Sequence, residues 1–183
     1  MQSKLKIFVA ILLAAGLIVG IHWYYSPFLA MNSMLSAAKA KDADNFNDYV
    51  DYQSLRESFK GQFSVKMAEV MDKQPSNPFS ALGAMLGMTL INQMVDSLVR
   101  PELVMKMMEE GKAQQPNKSL TSKPNTDESN AKELRWEFER KGVDLVLATP
   151  IREESKDSQP VFVFRRTGYA KWKLTEVRLP AVN

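Results

Sequence analysis

The sequence predicts an α+β protein: an N-terminal transmembrane helix, then helices packed on one face of a C-terminal antiparallel sheet of about four strands. Three observations carry this. Residues Ile7–Tyr25 contain no Asp, Glu, Lys or Arg. From Ser26 to Glu110 apolar residues recur at intervals of three and four, the helical period. From Glu133 onward apolar and polar residues alternate, the period of a strand with one buried face. Helices first and strands after is the order of an α+β domain.

A helix needs about 20 apolar residues to cross hydrocarbon, and in lipid it satisfies all its own backbone groups. Residues 7–25 meet that length and end in Trp23, Tyr24 and Tyr25, aromatics that favour the membrane–water boundary. A cleaved signal peptide has a shorter apolar core and small residues at its cleavage site, so a retained signal anchor is expected. Lys4 and Lys6 precede the run, and the positive-inside rule makes residues 1–6 a cytoplasmic tail. Residues 26–183 then lie across the membrane, in the periplasm if this is a bacterial inner membrane. The bilayer is the expected partner of residues 7–25. Gly16 and Gly20 have the small-xxx-small spacing of close helix pairs, but Ala/Gly-rich spans often contain it by chance, and dimerisation through it is not expected. His22, the sole histidine, sits one turn from the boundary and reads as an interfacial residue.

The remainder is long enough for one domain with its own core. Without Lys4 and Lys6 the 24 basic residues become 22, against 21 acidic ones. So balanced a surface offers no general footprint for nucleic acid. Cysteine is absent, which excludes disulfides, thiol catalysis and thiolate metal sites.

Residues 26–110 read as helical. Ser26-Pro27 resembles a cap followed by proline at the first helical position. Phe28, Met31, Leu35 and Ala38 then mark an apolar face as far as Asp42. A short acidic turn holds Phe46, Tyr49 and Val50. Ser54 and Glu57 have capping-box spacing, followed by Leu55, Phe59, Phe63 and Met67. Asn77-Pro78 opens a third helix, apolar on most sides, which Arg100-Pro101 interrupts before a short helix to Glu110. The run Phe79–Ile91 is too short to span and is first a buried core helix. Residues 111–132, rich in Lys, Gln, Asn, Ser and Thr, predict a mobile loop. Residues 133–180 form the sheet: strands from Leu134 to Glu139, Val143 to Thr149, Val161 to Arg166 and Tyr169 to Leu179, joined by short turns.

Catalytic signatures are lacking. The single histidine leaves no Ser-His pair outside the anchor, and no phosphate-binding glycine loop occurs. No cofactor or metal is expected. Tyr49, Asp51, Tyr52, Arg56 and Glu57 crowd one turn and helix start, and a carboxylate beside a phenol is the minimum for acid–base work. Asp51 and Ser54 acting as helix caps, with Arg56 paired to an acid, is the simpler reading. Phe79, Leu82, Met85 and Leu86 are the candidate apolar-ligand or membrane contact. Arg165, Arg166, Lys171, Lys173 and Arg178 could meet anionic headgroups, although cross-strand pairing with Glu137, Glu139 and Glu176 is the default.

Several segments carry a family resemblance: Tyr25-Ser26-Pro27-Phe28 after the anchor, Tyr49-Val50-Asp51-Tyr52, Leu55-Arg56-Glu57-Ser58-Phe59-Lys60, Trp172-Lys173-Leu174 and Val177-Arg178-Leu179-Pro180. On these the chain resembles the bacterial domain-of-unknown-function 2939 family, which implies no activity. Helices before a curved antiparallel sheet are also similar in architecture to the NTF2-like cone, which implies an apolar pocket. The expected function is a non-enzymatic module binding a partner protein or an apolar ligand. The alternatives are an enzyme with an acid–base carboxylate in such a cavity, or a lipid-binding module.

Overall fold

The computed structural model describes residues 2–72, 80–111, 135–151 and 159–180. Its first element, α1 (Gln2–Ala40), runs unbroken through Ser26 and Pro27. The expected boundary there is therefore corrected: Ser26 is not a cap, and one helix serves both as apolar segment and as first domain helix. Proline inside a helix leaves the carbonyl four residues back without its N–H donor. That carbonyl belongs to Trp23, and the Ser26 hydroxyl donates to it at 2.8 Å. Trp172 Nε1 in turn donates to Ser26 Oγ at 2.8 Å in a buried bond. The proline is thus accommodated by a side chain that the sheet holds in place.

The two halves of α1 have opposite surroundings. Leu5, Ile7, Leu13, Leu17, Ile21 and Tyr25 are exposed, whereas Met31, Met34, Ala37 and Ala38 are buried. This is the one helix among the described residues long and apolar enough to cross a membrane. It ends in a Schellman motif, with Lys41 N donating to Ala38 O and Asp42 N to Ala37 O. Lys41 takes the left-handed conformation (φ 55°) that such a motif requires.

Asp42 caps α2 (Ala43–Asn47) by accepting from Asn45 N. Then α3 (Tyr52–Asp72) begins two residues before the expected Ser54. Its cap is Asp51, which accepts from Ser54 N and Oγ, while Glu57 accepts from Gln53; the expected Ser54–Glu57 box does not form. α4 (Ser80–Leu98) and α5 (Pro101–Glu110) follow, separated at Arg100-Pro101 as expected. The Asn77-Pro78 start and the expected loop beyond Gly111 lie outside the described residues.

β1 (Arg135–Lys141), β2 (Leu145–Ile151), β3 (Val161–Arg166) and β4 (Trp172–Arg178) form an antiparallel meander in sequence order. A register shift at Val163/Phe164 leaves Thr175 as an extra residue on β4, its hydroxyl donating to Val163 O. The segment Tyr49–Asp51 adds to β4 by a parallel bridge at Val50 and Leu174. Helices and sheet enclose one core that includes Met34, Phe46, Leu55, Phe59, Met108, Phe162, Phe164, Trp172 and Leu174. This is the expected α+β architecture. Buried side chains of the helices and of the sheet form one apolar cluster between them.

Three contacts set direction. Trp172, at the start of β4, meets Ser26. Further along, Gln62 donates to Val177 O and accepts from Leu179 N, both at 2.9 Å. α3 therefore runs beside β4 in the same sense, away from the apolar half of α1. α4 returns against it, with Arg56 paired to Asp96 and Gly87 packed on Met67.

Candidate functional site

Tyr49, Asp51, Tyr52 and Arg56 are neighbours in space, but their polar groups point at separate partners. The Asp51 oxygens accept from Ser54 N at 3.1 Å and Ser54 Oγ at 2.9 Å. The Ser54 amide above all, with its hydroxyl, holds the Asp51 carboxyl below its ordinary value, outweighing the opposing effect of burial. A carboxylate so committed is a weak base. The Tyr52 hydroxyl donates to Asn47 Oδ1. Burial, with the Glu102 carboxylate adding to it and Arg56 opposing, pushes that phenol up to about 12, so it stays protonated. Arg56 reaches Asp96 on α4 at 3.5 Å, both side chains largely in water. Tyr49 lines a shallow recess of about 170 Å³ with His22, Ser26, Leu29, Ala30, Ser33 and Ala170. These groups join α2, α3, α4 and β4, and no proton-transfer pair forms among them.

The second set, Phe79, Leu82, Met85 and Leu86, falls largely outside the described side chains; Leu86 is 61% exposed on α4. Val65, Met88 and Leu90 are exposed on the same α3–α4 arm. That arm points away from the apolar half of α1.

The arrangement that sequence reasoning missed is the junction of α1 with the sheet. Arg166 stacks on Trp23 at 4.0 Å and on Trp172 at 4.8 Å, with its side chain only 11% exposed. Arg140 lies over Tyr24 at 4.7 Å and donates to the Tyr24 carbonyl at 3.1 Å. The Tyr169 hydroxyl donates to the Val19 carbonyl, well inside the apolar run. The alternation of β1 was the available signal, because it puts Arg140 on the same half-buried face as Trp136 and Phe138. The expected pairing with Glu137, Glu139 and Glu176 across strands gives way to these stacked rings, to pairs within one strand (Arg178 with Glu176, Lys141 with Glu139) and to one pair from β3 to the β1–β2 turn, Arg166 with Asp144.

Residues 17–107 match the family described as "Protein of unknown function (DUF2939)". The chain belongs to that family. Comparison with curated proteins and with solved structures gives no match. The DUF2939 match takes in Trp23, Ser26, Tyr49, Asp51, Tyr52 and Arg56 and stops before the sheet that carries Arg140, Arg166 and Trp172.

Proposed function

We propose that this DUF2939 protein is a single-span anchored, non-enzymatic interaction module. Residues 7–25 cross the inner membrane of a bacterium with the amino terminus in the cytoplasm, and the α+β domain stands in the periplasm against the membrane surface. The observation that carries this is the continuity of α1: an exposed apolar half passes, without a hinge, into a half that forms the domain core. An anchor built this way keeps the domain close to the bilayer and restricts its orientation as a flexible linker would not. A protein partner is favoured over an apolar ligand, because Val65, Leu86, Met88 and Leu90 are exposed on the outward arm. The enzyme reading has lost its base, since Asp51 serves as the cap of α3.

Fractionation tests the anchor. The full chain is expected in the inner-membrane fraction, resistant to high salt and alkaline carbonate and released by detergent. A soluble periplasmic species lacking residues 1–25 would overturn this reading.

A further inference from the structure

We propose that the turn end of the sheet is a docking surface for the headgroups of anionic phospholipids in the bilayer that holds α1. The inference rests on the reading of residues 7–25 as a membrane span.

The β1–β2 turn and the β3–β4 turn lie side by side, joined by the bond from Arg166 N to Asp144 O at 3.0 Å. Both sit at the end of the sheet nearest the apolar half of α1, because Trp172 bonds Ser26 and Tyr169 bonds Val19. Among the described residues this end carries Arg140, Lys141, Arg165, Arg166 and Lys171 against Glu139 and Asp144. Five basic residues against two acidic ones make this end basic among the described residues, in a chain whose charges are nearly balanced overall. At the two tips Val143 and Tyr169 are each 57% exposed and outside the core, the Tyr169 ring lying beside α1 through its bond to Val19. Apolar tips ringed by Lys and Arg are the composition of elements that settle into the headgroup layer.

The contact with Val19 sets the depth. Val19 lies six residues before Tyr25, about 9 Å along a helix. If all of residues 7–25 lay in hydrocarbon, the β3–β4 turn would be drawn in with its charges, which is costly. The headgroup layer therefore meets α1 between Val19 and Tyr25, and Trp23 and Tyr24, with Arg140 and Arg166 stacked on them, lie within it. The basic set read from the sequence divides accordingly. Arg165 and Lys171 are exposed at the membrane end with Lys141, Arg166 lies there stacked on Trp23 and Trp172, Lys173 acts on Asp51, and Arg178 stands at the far end of β4, paired with Glu176.

The chain has no cysteine, so Val143→Cys at the membrane end and Glu69→Cys near the end of α3 each give the full-length protein one labelling site. Both positions are exposed. The probes are vesicles of phosphatidylcholine alone and of phosphatidylcholine with three parts in ten of phosphatidylglycerol. A polarity-sensitive fluorophore at position 143 is expected to shift to the blue and be quenched by a headgroup-level quencher, more strongly with phosphatidylglycerol. The label at position 69 is expected to stay water-like in both. Arg165→Gln and Lys171→Gln, at exposed sites outside the core, should each lower the docked-to-undocked ratio about fivefold. A label at 143 as water-exposed as that at 69 would overturn the proposal, as would headgroup contact that ignores phosphatidylglycerol and both substitutions. Carbonate extraction of the same vesicles reads the span separately. Stripped protein that still responds at position 143 to phosphatidylglycerol retains the docking surface without the span, and stripped protein that does not respond loses both.

Discussion

Ser26 is the residue on which the junction turns. It is buried, it donates to the carbonyl that Pro27 leaves without a partner, and it accepts from Trp172. Ser26→Ala leaves both groups unsatisfied in a buried site, so a loss of about 2 kcal/mol is expected in urea denaturation. Adding Pro27→Ala restores an N–H to the Trp23 carbonyl and should recover about 1 kcal/mol of it; a double variant no more stable than the single one would refute the pairing. Asp51 acts by charge as well as by shape. Asp51→Ala is expected to cost about 1 kcal/mol at neutral pH, the usual worth of an N-cap. Because its folded-state pKa lies below the ordinary 3.8, the ionised cap stabilises above that value, and its contribution fades as the pH falls through the folded value. The gap between Asp51→Ala and the parent should therefore narrow in acid. The Ser-Pro pair could be read from the sequence as a helix start or as a helix interior, and capping statistics favour the start. The indole that decides the matter lies 146 residues away in the chain.

Helix periodicity and strand alternation located the elements among the described residues except α2 (Ala43–Asn47), a single helical turn capped by Asp42 where an acidic turn was expected, since both periods follow from which face is buried. Boundaries were less legible. Ser54–Glu57 has the spacing of a capping box, yet Asp51 caps α3 because Tyr49–Asp51 is already held against β4 through Leu174. The end of α1 offers a test of element geometry. Lys41 occupies a left-handed position where a side chain costs about 1–2 kcal/mol and glycine costs little. Lys41→Gly is expected to raise stability by about 0.5–1 kcal/mol after the greater chain freedom of glycine in the unfolded state is subtracted. A lower midpoint in thermal denaturation would show that Lys41 contributes a contact that outweighs the strain. The charges on β3 and β4 invited cross-strand pairing, but Arg166 turns toward Trp23, whose stacked rings shield it from water.

At the scale of the whole molecule, one rigid helix joins a 19-residue apolar run to a folded domain. This geometry adds a topological expectation to fractionation: protease should digest residues 41–183 only once the outer membrane is opened, and should leave a fragment containing residues 7–25 in the membrane. Protection of the domain in opened cells would reverse the orientation drawn from Lys4 and Lys6. Composition and period by themselves determined the apolar segment, the α+β order, the helical and strand regions and the lack of histidine or cysteine chemistry, because these depend on residue type and local spacing. Tertiary structure alone decided that α1 does not break at Pro27, that the Ser54–Glu57 box does not form, that the α3–α4 arm points away from the apolar segment, and that Arg140 and Arg166 meet Trp23 and Tyr24. Each of these depends on contacts between residues far apart in the chain, and local pattern carries no record of which distant side chain will satisfy a given carbonyl, carboxylate or cation.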